Sequence, residues 1–533
     1  MGMVVLESGW DTVILGWMPA GLMAAVAVSV TAAVGVGRAI GRPVRAPDTP
    51  ADRLAWRALM ASSWLALMLA LVSAIAAVGG MASSDHTVLP AWMAVVVQCL
   101  GTVVAGFSGR YLQGEQGQMR YVAALAGVLA SVHLLLRADH WWVLIGAWAL
   151  VGWTLHPLLC FYRDRPFAVL AAHKKWVADR VADVLLLAAA GLAWRVVGSG
   201  GLGDLDTYLA QHQGATLPWA LQASAVCLVL AAILRTALLP VHGWLTQVME
   251  APTPVSALLH AGVVNLSGVV LIRLAPLLEA APVARGLLVA FGLATACLAG
   301  LVMLTRISIK VRLAWSTVAQ MGFLMLECGL GLYTLAALHL MGHSLYKAHA
   351  FLSASGVVRV TRLQRQQGTV PAAAFSLWLA PALALAVLIG VQTLTHTVTA
   401  GWLPHSGWPW WWLGVLALVW APLLWWPQGA AATLGAWQVA SGAALVCALA
   451  VASALAHALP LGVHDRPVAY LGVVACVGMA VLYGAQAAIQ RGAAGMAPWR
   501  RWSYAGFYVD EVYTRVALRL WPVRWGQPAG GQA

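Results

Sequence analysis

Apolar runs of about 18 to 25 residues recur along this chain from Asp11 to Gln490, broken by short polar loops, and each is long enough to cross a bilayer as a helix. Within hydrocarbon a backbone amide finds no water, so a run of this length satisfies itself by closing its hydrogen bonds inside an α-helix. We count about 15 such runs, with neighbours hard to separate near Trp410 and Ala430. The composition agrees: 61% of 533 residues are hydrophobic and 9% charged, where a soluble chain carries roughly a quarter charged. The expected fold class is all-α, a polytopic membrane protein. The first run has no basic stretch ahead of it and continues to Gly37, which marks it as a span and not a cleaved signal peptide.

A net charge of +13 would suit a nucleic-acid partner, but its distribution does not. Basic residues gather in alternate loops: Arg38, Arg42, Arg45, Arg53 and Arg57; Arg163, Arg165, Lys174 and Lys175; Arg306, Lys310 and Arg312; Arg359, Arg362 and Arg365; Arg491, Arg500 and Arg501. The intervening loops 81–90, 198–218 and 393–408 are nearly free of Lys and Arg. Loops retained in the cytoplasm show this bias, so the N-terminus is expected outside, the C-terminus in the cytoplasm, and a lipid bilayer rather than nucleic acid around the chain.

The chain divides into N-terminal transmembrane helices over 1–110, a translocating core over 111–400, C-terminal helices over 401–490 and a cytoplasmic amphipathic tail over 491–533. The tail segment from Tyr504 to Trp521, YAGFYVDEVYTRVALRLW, is too short and too charged to cross, yet rich in apolar residues. It is expected at the membrane surface or against a partner. The seven cysteines, Cys99, Cys160, Cys227, Cys297, Cys328, Cys447 and Cys476, sit in or beside apolar runs without CxxC spacing and read as small core residues. No Walker A sequence, dinucleotide fingerprint or zinc signature occurs, so no nucleotide hydrolysis, no cofactor and no metal is expected.

Titratable side chains at membrane depth cost several kcal/mol each and rarely persist unless they line a polar path or a buried network. Here they form four groups. In HKKWVADRVADVLLL, Asp179, Arg180 and Asp183 are read as starting a helix at the interface, with Asp183 about one turn deeper. In the second group Arg235 precedes Pro240, which should interrupt the helix; the following span carries His260, either a relay or an interhelical hydrogen-bonder. The third places Lys310 at a span entrance, as a path residue or a snorkelling anchor, ahead of Ser316, Thr317, Gln320 and Glu327. The fourth is the clearest: His339, His343 and Lys347 repeat every four residues and so share one helix face. Two histidines at this spacing also suit zinc, but no third ligand is in register. Imidazoles and a desolvated lysine are suitable stations for proton hopping, with Ser, Thr, Gln and trapped water bridging between them. Cations set mid-helix in the second and fourth groups hint at two related halves.

These residues carry a resemblance. LPVHGWLTQVMEAPTPVSALLHAGVV looks like the signature of the antiporter-like subunits of respiratory complex I and of Mrp-type cation/proton antiporters. KVRLAWSTVAQMGF and HLMGHSLYKAHAFLSASGVV continue it in the same order, and RVADVLLL and GFYVDEVY resemble the largest of those subunits. The resemblance runs from about Trp141 to Gly356 and implies an antiporter-like core with inverted repeats and broken helices. It also implies ion-translocation roles for Asp183, Arg235, His260, Lys310, His339, His343 and Lys347.

Two positions depart from the family pattern. Ala149 stands where a glutamate is expected, and Arg235 replaces a lysine and cannot release its proton. No ionisable residue lies in the span from Phe375 to Leu394, where some relatives keep a lysine. These departures, with a chain reaching only Ala533, favour the short membrane subunit of DAB-type inorganic-carbon pumps. The implied role is H⁺ or Na⁺ translocation in a bacterial inner membrane, coupled to a large cytoplasmic zinc-containing subunit resembling a carbonic anhydrase. The alternatives are a proton-pumping subunit of a complex I-like oxidoreductase or membrane hydrogenase, an Mrp-type antiporter subunit, and a non-conducting anchor. In each the chain is a transport subunit or an anchor and not itself an enzyme.

Overall fold

Every element of the structure, a computed structural model that describes residues 2–39, 48–79, 87–354, 372–398, 407–429, 432–491 and 497–523, is a helix or a turn. Among those residues the first half comprises α1 (Gly2–Ala39), α2 (Pro50–Val78), α3 (Val88–Tyr111), α4 (Gln118–Leu136), α5 (Trp141–Leu159), α6 (Pro166–Val197), α7 (Leu202–Gln211), α8 (Trp219–Arg235), α9 (Gly243–Gln247), α10 (Thr253–Ala261), α11 (Leu266–Arg273) and α12 (Ala275–Glu279). There follow α13 (Pro282–Thr305), α14 (Ile309–Leu330), α15 (Tyr333–Leu352), α16 (Ala374–Val398), α17 (Trp410–Trp420), α18 (Ala432–His457), α19 (Ala469–Gln490), α20 (Ala497–Tyr504) and α21 (Val509–Leu520).

Eleven of the segments are long and apolar enough to cross a membrane, and α8 and α17 are shorter apolar helices. The more polar α6 and α15, at 32 and 20 residues, also have the length, which brings the candidates to fifteen, as the sequence reading expects. Helix ends follow local chemistry. Thr49 and Asp52 cap the start of α2 reciprocally, and α14 stops at Gly331, whose φ of 79° a side chain would resist.

Neighbouring helices pack as hairpins, α1 along α4, α2 along α3, α6 along α8 and α13 along α14. One hydrophobic core runs through α1 to α15; a smaller one joins α16 to α19 to the ends of α13, α14 and α15 that carry Val289, Leu326 and Leu335. Exposed Trp153, Trp378 and Trp437 face outward from the bundle, where lipid belongs in a membrane-spanning chain.

Three helices are interrupted. The chain leaves α8 at Arg235, passes Pro240 and resumes as α9, because proline offers no amide to continue the ladder. A 3-10 turn at Val263–Asn265 separates α10 from α11, and another at Ala421–Leu424 ends α17. The break after α17 also separates the runs that were ambiguous between Trp410 and Ala430.

The structure corrects the reading of HKKWVADRVADV. Its helix begins at Pro166, so Asp179 and Asp183 lie in the middle of α6 and not at its start. Lys174 and Lys175 are buried inside the helix rather than in a basic loop. Lys174 is neutralised by Asp510 from a distant segment, which a local pattern cannot show, and Lys175 by Asp179 one turn along the same helix. Of the other loop cations, Arg42, Arg45, Arg359, Arg362 and Arg365 lie outside the described residues.

The tail helix α21 is held by its own chain. One face packs on α6 and α9, while Tyr508, Val512, Val516 and Leu520 form an exposed apolar stripe at fourfold spacing.

Candidate functional site

Helix α8 ends on a buried charge. The Arg235 guanidinium contacts the Asp183 carboxylate, donates to the carbonyl of Trp148 at 2.8 Å and lies 4.9 Å above the Trp148 ring. The second Asp183 oxygen accepts from Arg180 at 2.8 Å. The C-terminal end of a helix favours a cation, since its last carbonyls are unsatisfied. Arg235 and Asp183 therefore form an ion pair between α8 and α6. The acceptor beside Ala149 is the Trp148 carbonyl instead of a glutamate. An arginine keeps its proton, so this cluster ties α5, α6 and α8 together as a fixed clamp. One turn earlier on α6, Lys175 meets Asp179 at 2.5 Å, both buried. Asp179 rests on Gly152 of α5, where a Cβ would come 2.5 Å from its carboxylate oxygen.

The second polar row follows α15. His339 sits between Glu327, whose carboxylate is 2.7 Å from Nδ1, and Gln320, whose Oε1 is 2.8 Å from Nε2. With an oxygen acceptor on each ring nitrogen, both bonds are made only by the imidazolium. Turning the Gln320 amide would present an N–H and suit the neutral ring, so this environment accommodates either protonation state. His343 lies one turn on, buried, its ring 6.0 Å from that of His339 and its nitrogens unpartnered among the described residues. A further turn on, buried Lys347 contacts the Ser316 hydroxyl and the Leu313 carbonyl at 3.3 Å. Among the described residues it has no carboxylate within ion-pair reach. From His339 to Lys347 the row climbs about 12 Å. Its His339 end opens into a cavity of about 520 Å³ whose lining includes Gln320, Phe323, Glu327, His343 and Trp412.

The remaining sequence-chosen residues flank this row. His260 of α10 is fully buried and stacks on Phe351 of α15, rings 4.4 Å apart and 14° from parallel. Neither of its nitrogens has a partner among the described residues, so it is not the satisfied hydrogen-bonder that the plainer reading offered. Lys310, second residue of α14, donates to Thr253 at the start of α10 at 2.9 Å. That places it at the helix entrance, about 9 Å along α14 from Ser316, and outside the buried row. Asn265, at the α10–α11 interruption, donates to Ser344 of α15 at 2.7 Å.

Sequence reasoning left several residues out of the site. Glu327 and Gln320 were visible as polar groups in an apolar run, but only the fold sets them on His339. His242, in the break after Pro240, is fully buried with both nitrogens unpartnered among the described residues and its ring 4.8 Å from Trp315. The rule that broken helices line polar sites could have flagged it. Lys174 meets Asp510 from 336 residues away, a pairing that no local signal carries.

Several known proteins resemble this chain in sequence or in fold. A family model described as NADH:quinone oxidoreductase/Mrp antiporter, TM, matches residues 138–408. The "Probable inorganic carbon transporter subunit DabB" of Hydrogenovibrio crunogenus is 37% identical over 433 residues, 78% of this chain and 79% of that protein. "Probable inorganic carbon transporter subunit DabB2" of Halothiobacillus neapolitanus is 46% identical over 265 residues, half of this chain and 48% of that one. The solved Mrp complex of Dietzia sp. superposes with a TM-score of 0.56 at 21% identity, covering 96% of this chain and 60% of that one, a likeness of fold.

Proposed function

The chain belongs to the NADH:quinone oxidoreductase/Mrp antiporter transmembrane family, and from that premise we propose that it is the ion-translocating membrane subunit of an inorganic carbon transporter. It passes H⁺ or Na⁺ through the bilayer and thereby drives CO₂ hydration or bicarbonate accumulation in a DabA-like cytoplasmic partner, a zinc-containing subunit resembling a carbonic anhydrase. The observation that carries ion translocation is the run of Glu327, half-buried His339, and buried His343 and Lys347, which reaches a cavity at one end and Ser316 at the other. The inorganic-carbon role is supported by the relatives named above.

In this reading His339, His343 and Lys347 relay the ion, with His260 beside Lys347 and Lys310 at the entrance. Asp183 and Arg235 hold the first half closed. The chain has a transport role and catalyses no reaction itself. Its place is the bacterial inner membrane, with the basic loops and the C-terminal tail on the cytoplasmic side.

Growth at low CO₂ and uptake of labelled inorganic carbon test this in a host lacking its own pump, with the chain expressed together with its native partner. Uptake that depends on both subunits and collapses with a protonophore or with a Na⁺ ionophore is the expected result; uptake unaffected by either would remove ion coupling. The family description also covers quinone-reducing complexes. Co-purification of quinone-reductase subunits with the tagged chain would replace this reading with that one.

A further inference from the structure

The C-terminal helix joins the membrane core by way of an acid. Asp510 accepts from Lys174 at 2.5 Å and from Gln247 at 2.8 Å, and Lys174 also donates to Thr514 at 2.9 Å. The Tyr513 hydroxyl donates to the carbonyl of Lys174 at 2.7 Å. The Lys174 side chain is 0% exposed and that of Asp510 22%, so the carboxylate stands between a buried cation and water. Gly243, first residue of α9, makes room for it: a Cβ there would collide with the Asp510 carboxylate and come within 2.6 Å of the Lys174 ammonium.

Beside this contact lies His242, buried, close to the Pro240 backbone but in no hydrogen bond of good geometry, whose charged neighbours are Asp510, Lys174 and Arg306. Its ring abuts Trp315, and the next residue, Ser316, holds Lys347. A simple latch would explain the ion pair. It would not explain an unsatisfied imidazole set between that pair and the foot of the Lys347 row.

We propose that α21 completes the ion path, with Asp510 as the carboxylate through which protons pass between His242 and water. This rests on the ion-translocating reading above. His242 takes a proton from the Lys347 side and becomes imidazolium, then passes a proton to Asp510 and returns to the neutral ring; release of that proton to water restores the carboxylate. Lys174 is then a positioning residue, holding Asp510 over the break in α8.

The test uses the full chain with its partner, reconstituted in proteoliposomes, with proton flux read by an internal pH dye under an imposed potential. Asp510→Asn keeps the hydrogen-bonding shape; we expect wild-type protein level and a loss of flux of about 100-fold, the scale of a lost acid–base group. The swap Lys174→Asp with Asp510→Lys keeps an ion pair but puts no carboxylate at position 510, so flux should stay low at wild-type protein level. Flux returning in the swap would reduce Asp510 to a latch and overturn the proposal, and so would wild-type flux in Asp510→Asn. If Asp510→Asn lowers protein level, the swap alone decides. Absence of both proton and Na⁺ flux from the wild-type complex would overturn the ion-translocating reading and this inference together, whereas Na⁺ flux without proton flux, or proton flux that survives both variants, overturns this inference alone.

Discussion

Arg235 and Asp183, 52 residues apart in sequence, meet where α8 breaks off, and the guanidinium donates its other bond to the Trp148 carbonyl. Arginine keeps its proton, so this cation is fixed in charge, while His339, His343 and Lys347 of α15 stand in a separate row.

Asp183→Asn should therefore act on stability first. It leaves Arg235 buried against a neutral amide, and breaking a buried pair of this kind costs about 3 kcal/mol. We expect a lower membrane level and a lower melting temperature in detergent. Removing both charges, with Arg235→Leu and Asp183→Leu, should recover stability over the single variant. A single variant as stable as wild type would show that the clamp carries no weight.

Replacing Lys347 by methionine keeps the length of the side chain and removes its charge. Transport should fall by about 100-fold with insertion and partner recovery intact, and His343→Ala should do the same. Rescue of growth at low CO₂ by both variants at the wild-type rate would take the α15 row out of the mechanism.

Glu327→Gln takes away the carboxylate at 2.7 Å from His339 while preserving shape. Without that counter-charge the imidazolium state loses its partner, and flux through reconstituted vesicles should drop by at least about tenfold. Unchanged flux would mean that the cavity end of the row is structural.

Gly243→Ala tests how the tail is seated. The added methyl group occupies the place of the Asp510 carboxylate, which is short and held by two donors, so α21 should leave its site. Limited proteolysis would then cut the tail faster than in the wild type while the spans stay intact. A tail as resistant as before would show that the contact can shift to admit a Cβ.

The sequence by itself determined the class of the protein. The length and number of its apolar runs allow little besides a helical bundle in lipid, Pro240 marks the break after α8, and the fourfold spacing puts His339, His343 and Lys347 on one face. These properties are local, because helix geometry alone converts spacing into position. Only the tertiary structure decided which charges are paired. HKKWVADRVADV reads as an interfacial helix start, yet it is the middle of a 32-residue helix. Its Lys174 is answered by Asp510 from the tail, Lys175 by Asp179 one turn along, and Asp183 by Arg235 across the break. Burying a charge is tolerable only when an opposite charge or a hydrogen-bond partner arrives with it, and where that partner comes from depends on how helices hundreds of residues apart pack together.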